Sequence, residues 1–141
     1  MYDIIIVGCG PAGMTSAIYA ARANKKVLIL EKETIGGQMS SAPLIENYPG
    51  FVSISGSELA TNMFDQIMEL GVDFELEEVK EIIDGDIKKI VTDNNTYIFF
   101  HHACLGCARK FGAFYGDRDD PILLDFAAEW AVRSAASSCG L

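Results

Sequence analysis

The strongest constraint in this sequence is the hexapeptide Gly8-Cys9-Gly10-Pro11-Ala12-Gly13, set between an apolar run and an alanine-rich one. Residues 2–7 (YDIIIV) read as a short buried strand, residues 11–23 as a helix, and residues 26–31 (KVLILE) as a second buried strand. Strand, helix and strand in about 30 residues make a βαβ unit, with parallel strands and a right-handed crossover. A G-x-G-x-x-G hexapeptide means little alone. It gains meaning where it leaves a strand and opens a helix. Gly8 permits the tight turn, and Gly10 has no side chain to keep a pyrophosphate from the backbone. Gly13 lets the helix pack closely on the strands, helped by Ala17 one turn later. Pro11 has no N–H but suits a first helical turn. The helix N-terminus offers free N–H groups to phosphates, so Gly8, Gly10, Pro11, Ala12 and Gly13 are the expected phosphate-binding residues.

Glu31 closes the second strand, 18 residues after Gly13. A carboxylate there accepts hydrogen bonds from ribose hydroxyls and repels a 2′-phosphate, which favours FAD or NAD over NADP. Cys9 has no base beside it in the sequence and is expected to be a small packed residue rather than a nucleophile.

Residues 32–56 are rich in Gly, Ser and Pro and read as an extended loop, long enough to suggest function. Ser55 and Glu58 have capping-box spacing. Leu59, Met63, Ile67 and Leu70 then give one apolar helical face, with Gly71 as the C-terminal cap. Residues 72–76 fit a third parallel strand. Residues 78–83 and 87–92 flank Asp84-Gly85, a hairpin signal, and Asp93-Asn94-Asn95 turns into a strand from Thr96. The expected fold class is α/β: a Rossmann-like domain with a parallel sheet and a three-stranded β meander.

Half of the residues are hydrophobic, enough for a packed core. No apolar run reaches the ~18 residues of a membrane span. Asp3 and the short Ile4 to Val7 run do not make a signal peptide, so the expected location is the cytoplasm. A net charge of −9 disfavours nucleic acid and anionic membrane as partners. Cys9, Cys104, Cys107 and Cys139 are expected to be free thiols.

Three further segments narrow the reading: Thr34-Ile35-Gly36-Gly37-Gln38-Met39, Ile45-Glu46-Asn47-Tyr48-Pro49-Gly50-Phe51, and Ser57-Glu58-Leu59. With the glycine loop they resemble the bacterial low-molecular-weight thioredoxin reductases, and the flavoprotein subunit of alkyl hydroperoxide reductase is similar in the same segments. The resemblance covers residues 1–97. It implies an FAD-binding domain, with Gly36 and Gly37 close to the ribityl and pyrophosphate groups. It further implies Gln38 and Asn47 near the flavin end and the Val79 backbone at the adenine. Tyr48 and Pro49 are expected to be loop packing. In the family, NADPH reduces the flavin, the flavin reduces a Cys-x-x-Cys pair, and that pair reduces thioredoxin. The resemblance also implies a homodimer.

From about residue 98 the resemblance fails. The sequence is read as a 1–97 FAD/NAD(P)-binding part and a 98–141 divergent or out-of-frame tail, with a helix expected over 121–136. No second G-x-G-x-x-G occurs, so no NADPH site can be named and the NADPH domain is expected to be lacking. Read one base later through permitted codons, His101 to Cys107 can encode Ile-Met-x-Ala-Leu-Gly-Ala, which resembles the family's apolar strand and its Ala-x-Gly-Ala ending. Cys104 and Cys107 form a Cys-x-x-Cys, but too early in the chain and without the family's Cys-Ala-x-Cys-Asp setting, so they are weak catalytic candidates. His101 and His102 beside them do not make a convincing metal site, and no metal is expected. Three functions stay open: a thioredoxin-disulfide reductase type, incomplete and inactive as this chain alone; a non-catalytic FAD- or ADP-binding fragment; and a related flavoprotein such as a ferredoxin–NADP reductase.

Overall fold

The computed structural model describes residues 1–83 and 86–105, with side chains as far as Phe99. Its elements are β1 (Tyr2–Val7), α1 (Pro11–Arg22), β2 (Val27–Glu31), a 3-10 turn (Gly37–Ser41), α2 (Gly56–Glu69), β3 (Asp73–Leu76), β4 (Val79–Ile83), β5 (Lys88–Thr92) and β6 (Thr96–Leu105). The expected βαβ unit forms, with β1 and β2 parallel and Ile5 opposite Leu28.

All six strands belong to one sheet in the order β3-β2-β1-β6-β5-β4. The β3, β2, β1 and β6 strands run parallel, while β6, β5 and β4 form the antiparallel meander. β6 serves both halves. Its first residues pair with β5, and from Phe99 onward it pairs with β1. β3 and β4 end the sheet on opposite edges, yet only Glu77 and Glu78 join them. A flat six-stranded sheet would hold its edges roughly 24 Å apart, and the link spans at most about 11 Å. The sheet therefore folds over, and the meander lies across one face of the parallel part.

The alternation of side chains fills both resulting layers. Ile4, Ile6, Val27 and Ile29 pack with Met14 and Ala17 of α1 and with Leu59, Met63 and Ile67 of α2. Ile5, Leu28 and Leu30 point the other way and pack with Ile90 and Phe99 of the meander. A strand buried on both faces needs a continuous apolar run, which is why IIIV and VLIL mark the centre of the molecule.

Both helices end as their sequences direct. Ser55 Oγ accepts a hydrogen bond from the Glu58 N–H at 3.2 Å, the first half of the capping box. Gly71 sits at φ +73°, and the Gly71 and Val72 N–H groups bond to Met68 and Ile67 carbonyls, the Schellman arrangement. At the end of α1, Asn24 takes the same left-handed role at φ 58°. Leu70 differs from expectation. It is the C-cap of α2 rather than part of its apolar face, and it is 39% exposed.

The stretch over residues 32–56 is more structured than an extended loop. Ser40 and Ser41 hydroxyls donate to the Gly37 and Gln38 carbonyls in the 3-10 turn, and Ile45 and Ile54 bridge. Short serines that bond their own backbone favour such turns over loop. β6 runs through position 98, where the sequence changes character. The Asp84-Gly85 turn and the expected helix over 121–136 lie outside the described residues.

Candidate functional site

The loop after β1 is fixed by its own backbone. The Gly8 N–H donates to the Leu30 carbonyl at 2.7 Å, and Gly8 stands at φ +105°, a conformation that suits glycine. Gly10 is the N-cap of α1, no side chain caps that helix, and Pro11 takes its first turn. A Cβ built on Gly10 would meet nothing within 4 Å, whereas one on Gly13 would lie 2.0 Å from the Gly8 carbonyl oxygen. The two glycines thus differ in purpose. Gly13 is needed because the loop carbonyl crosses its Cα, a closer constraint than the strand side chains. Gly10 leaves open space above an uncapped helix N-terminus, where an anion meets free N–H groups and the positive end of the helix dipole.

Glu31 reaches back to this loop. Its Oε2 accepts from the Cys9 N–H at 2.8 Å, and its Oε1 from the Lys32 and Glu33 N–H groups at 2.9 and 3.0 Å. A carboxylate has about four acceptor sites, and three backbone donors leave Oε2 one more. The carboxylate is oriented by the protein and keeps capacity for one hydroxyl at the end of β2. Cys9 is fully buried. Burial, with a smaller push from Glu31, raises its thiol to about 11 against a lowering hydrogen bond from the Gly36 backbone. At neutral pH it stays a protonated packing group, as its sequence setting suggested.

The Gly36-Gly37-Gln38 segment folds onto the same loop. The Gly36 N–H donates to the Cys9 carbonyl at 2.8 Å, and a Cβ on Gly37 would come within 3.8 Å of Gly10 Cα. Gly36 is at φ +88°, and a Cβ there would strike Ala60 of α2 at 2.5 Å. Sequence reasoning overlooked Gly56, which seats this segment: its N–H donates to the Ala42 carbonyl at 2.8 Å, and a Cβ on it would lie 1.8 Å from the Met39 carbonyl oxygen. A glycine straight after the capping Ser55 was the available signal. Gln38 and Asn47 are exposed. Tyr48 packs on the helix-side core, with its hydroxyl 4.0 Å from Met63 Sδ.

Val79 opens β4 at the sheet edge. Glu78, just before it, lies close enough to Lys32 to help raise its pKa, though Glu33 is the larger cause. The beginning of the meander therefore stands beside the end of β2. The structure brings the glycine loop, Glu31 and the Gly-Gly segment together and sets Val79 on their far flank. Cys104 lies on β6 opposite Ile6, and Cys107 is outside the described residues. Among the described residues no group of three His, Cys, Asp or Glu side chains could hold a metal, and no helix is long and apolar enough to cross a membrane. A separate open cleft of about 540 Å³ lies between α1 and α2, lined by Tyr19, Arg22, Tyr48, Phe51 and Gln66 among others, and its lining includes no residue of the glycine loop, Glu31, Gly36 or Gly37.

A family model described as "FAD dependent oxidoreductase" matches residues 3–110. The thioredoxin reductase of Bacillus subtilis is 47% identical over 91 residues, 64% of this chain and 29% of that protein. The thioredoxin reductase of Listeria innocua is 42% identical over 98 residues, 69% of this chain and 31% of that protein. The crystal structure of Lactococcus lactis thioredoxin reductase superposes with a TM-score of 0.71 at 43% identity, covering 74% of this chain and 35% of that one. The chain spans about a third of the length of the relatives it matches.

Proposed function

The chain belongs to the FAD dependent oxidoreductase family, and from that premise we propose that it is the FAD-holding part of a thioredoxin-disulfide reductase. FAD is the cofactor the family takes, and the residues fit it. The observation that carries this reading is the open space at Gly10, above an uncapped helix N-terminus and flanked by Gly37 and by Glu31. A pyrophosphate needs approach to backbone donors without a Cβ, and a ribose needs a fixed acceptor. We assign the pyrophosphate to Gly8, Gly10, Pro11, Ala12 and Gly13, the ribose to Glu31, and the ribityl run to Gly36 and Gly37. Gln38 and Asn47 take the flavin end, where an exposed amide offers both donors and an acceptor. Val79 takes the adenine.

When bound, FAD supplies the hydride and electron chemistry; this chain's residues hold and orient it. In the complete reaction, NADPH is the electron source and a thioredoxin-like disulfide the acceptor, with a homodimer in the cytoplasm as the working form. Residues 1–97 carry the cofactor part in this reading, and 98–141 are divergent or out-of-frame sequence. Strand pairing uses the backbone, so such sequence can still complete β6. The coding DNA decides between the two: an early stop in the shifted frame, with no Cys-x-x-Cys-Asp or second glycine motif downstream, overturns the out-of-frame reading and leaves divergence.

The test of the cofactor assignment is retention of flavin. The chain is purified with excess FAD, desalted, and its visible spectrum recorded beside its circular dichroism. A flavin spectrum is expected. A folded chain with no flavin overturns the assignment.

A further inference from the structure

A buried carboxylate outside the phosphate site remains without a role. Glu77 is 7% exposed, in the two-residue link that joins the opposite edges of the sheet. Burying a carboxylate is costly unless donors surround it, and here they do. The Thr92 hydroxyl donates to Oε2 at 2.6 Å, and the Asn95 side-chain amide donates to Oε1. These two donors belong to the β5–β6 turn, which is itself closed by the Thr92 N–H to the Asn95 carbonyl at 2.9 Å and by the Asn95 N–H to Thr92 Oγ1 at 2.8 Å, and the Tyr97 side chain of β6 adds a third hydrogen bond to Glu77. The next residue adds main-chain ties: the Asp93 N–H donates to the Glu78 carbonyl, and the Glu78 N–H to Asp93 Oδ1, each at 3.2 Å.

These ties fix the direction of the peptide groups that follow. Glu78 turns its N–H and C=O toward β5. Along a strand successive residues face opposite sides, so Val79 turns its N–H and C=O away from β5, off the free edge of the sheet. Val79 and Thr92 are opposite each other in register, and the Thr92 N–H is already committed to Asn95. A donor and an acceptor on one residue at a sheet edge can pair with the edge of a planar base, provided their position is fixed.

We propose that Glu77 is a positioning residue for the adenine subsite: its clamp on Thr92 and Asn95 holds the Val79 N–H and C=O where an adenine edge is read. The inference rests on the FAD reading above, and it assigns base recognition to a residue that does not touch the base.

The experiment compares ADP with inosine diphosphate, which exchanges the amino donor of adenine for a carbonyl, by calorimetric titration of the full chain. The parent is expected to prefer ADP by roughly tenfold, the equivalent of about one well-placed hydrogen bond. Glu77→Ala is expected to bring that ratio close to one. Glu77→Gln is expected to keep it, because its carbonyl can face the Asn95 amide while its amide donates to Thr92 Oγ1. General loosening of the fold weakens both nucleotides alike and leaves the ratio unchanged. An unchanged ratio in Glu77→Ala, or no preference in the parent, overturns the proposal. Should Glu77→Ala fail to fold, Asn95→Ala at an exposed position decides by the same ratio. A folded parent that binds neither FAD nor ADP overturns the FAD reading and this inference together. A parent that binds ADP and loses it in Gly10→Val, with Glu77→Ala keeping the ratio, overturns the inference alone.

Discussion

Two glycines of one hexapeptide make opposite predictions. Gly10→Val adds a side chain where nothing stands within 4 Å, at a backbone of φ −81° and ψ 179° that any residue adopts. Its stability should change by no more than about 1 kcal/mol, the scale of an N-cap substitution, while retained FAD falls to background. Gly13→Ala instead drives a methyl to within 2.0 Å of the Gly8 oxygen. Backbone must move, so the loss should appear in denaturant midpoint, at about 2 kcal/mol or more. Equal stability losses in the two variants would remove the distinction between an open loop position and a packed one. Cys9 gives a third test. Its thiol is raised from the ordinary 9.0 to about 11 chiefly by burial. A raised thiol pKa means that the unfolded state ionises first. This contribution to stability is whole below pH 9 and is lost between about 9 and 11 as pH rises. At pH 8 the Cys9 peptide should resist alkylation in the folded chain and react after denaturation, as mass spectrometry of the digest would show. Rapid labelling in the folded state would contradict its burial.

At the scale of elements, the caps carry stability that the buried faces do not. Ser55→Ala removes the acceptor for the Glu58 N–H and should cost about 1 kcal/mol, read as a lower urea midpoint at unchanged slope. Asn24→Gly relieves a left-handed backbone at φ 58° and should hold or raise that midpoint, because glycine carries no Cβ penalty there. Only one of these caps was legible in the sequence. Ser55 announced itself by Glu58 three residues later. Asn24 did not, since asparagine after an alanine-rich run has no such partner. Leu70 was misplaced because the 3.6-residue period continues the apolar face onto it, whereas Leu70 is the C-cap, just before Gly71, and stands 39% exposed.

For the whole molecule, the prediction concerns turnover. The chain alone, supplied with FAD, NADPH and thioredoxin, should oxidise no NADPH at a normal enzyme's rate, roughly 1 s⁻¹ or more. Positioning of the nicotinamide supplies much of such a rate, and the sequence holds a single G-x-G-x-x-G. The assay follows absorbance at 340 nm. Turnover that vanished in a Cys104→Ser, Cys107→Ser double variant would make that pair the redox centre and overturn the reading.

The sequence by itself determined the βαβ unit, its glycine loop and the acid that closes its second strand, because each depends on near neighbours: strand period, glycine spacing and a helix start. It also determined β4, β5 and the start of β6 at Thr96, since these are marked by turn residues beside short apolar runs. Only the tertiary structure decided that β6 joins the meander to β1, that the sheet folds over, and that its two edges meet at Glu77. It alone decided that Gly36 bonds to Cys9 and that Glu31 accepts from the Cys9 N–H, 22 residues earlier. These contacts join residues far apart in the chain, and no local period or spacing encodes a partner that reaches a residue only once the sheet has closed.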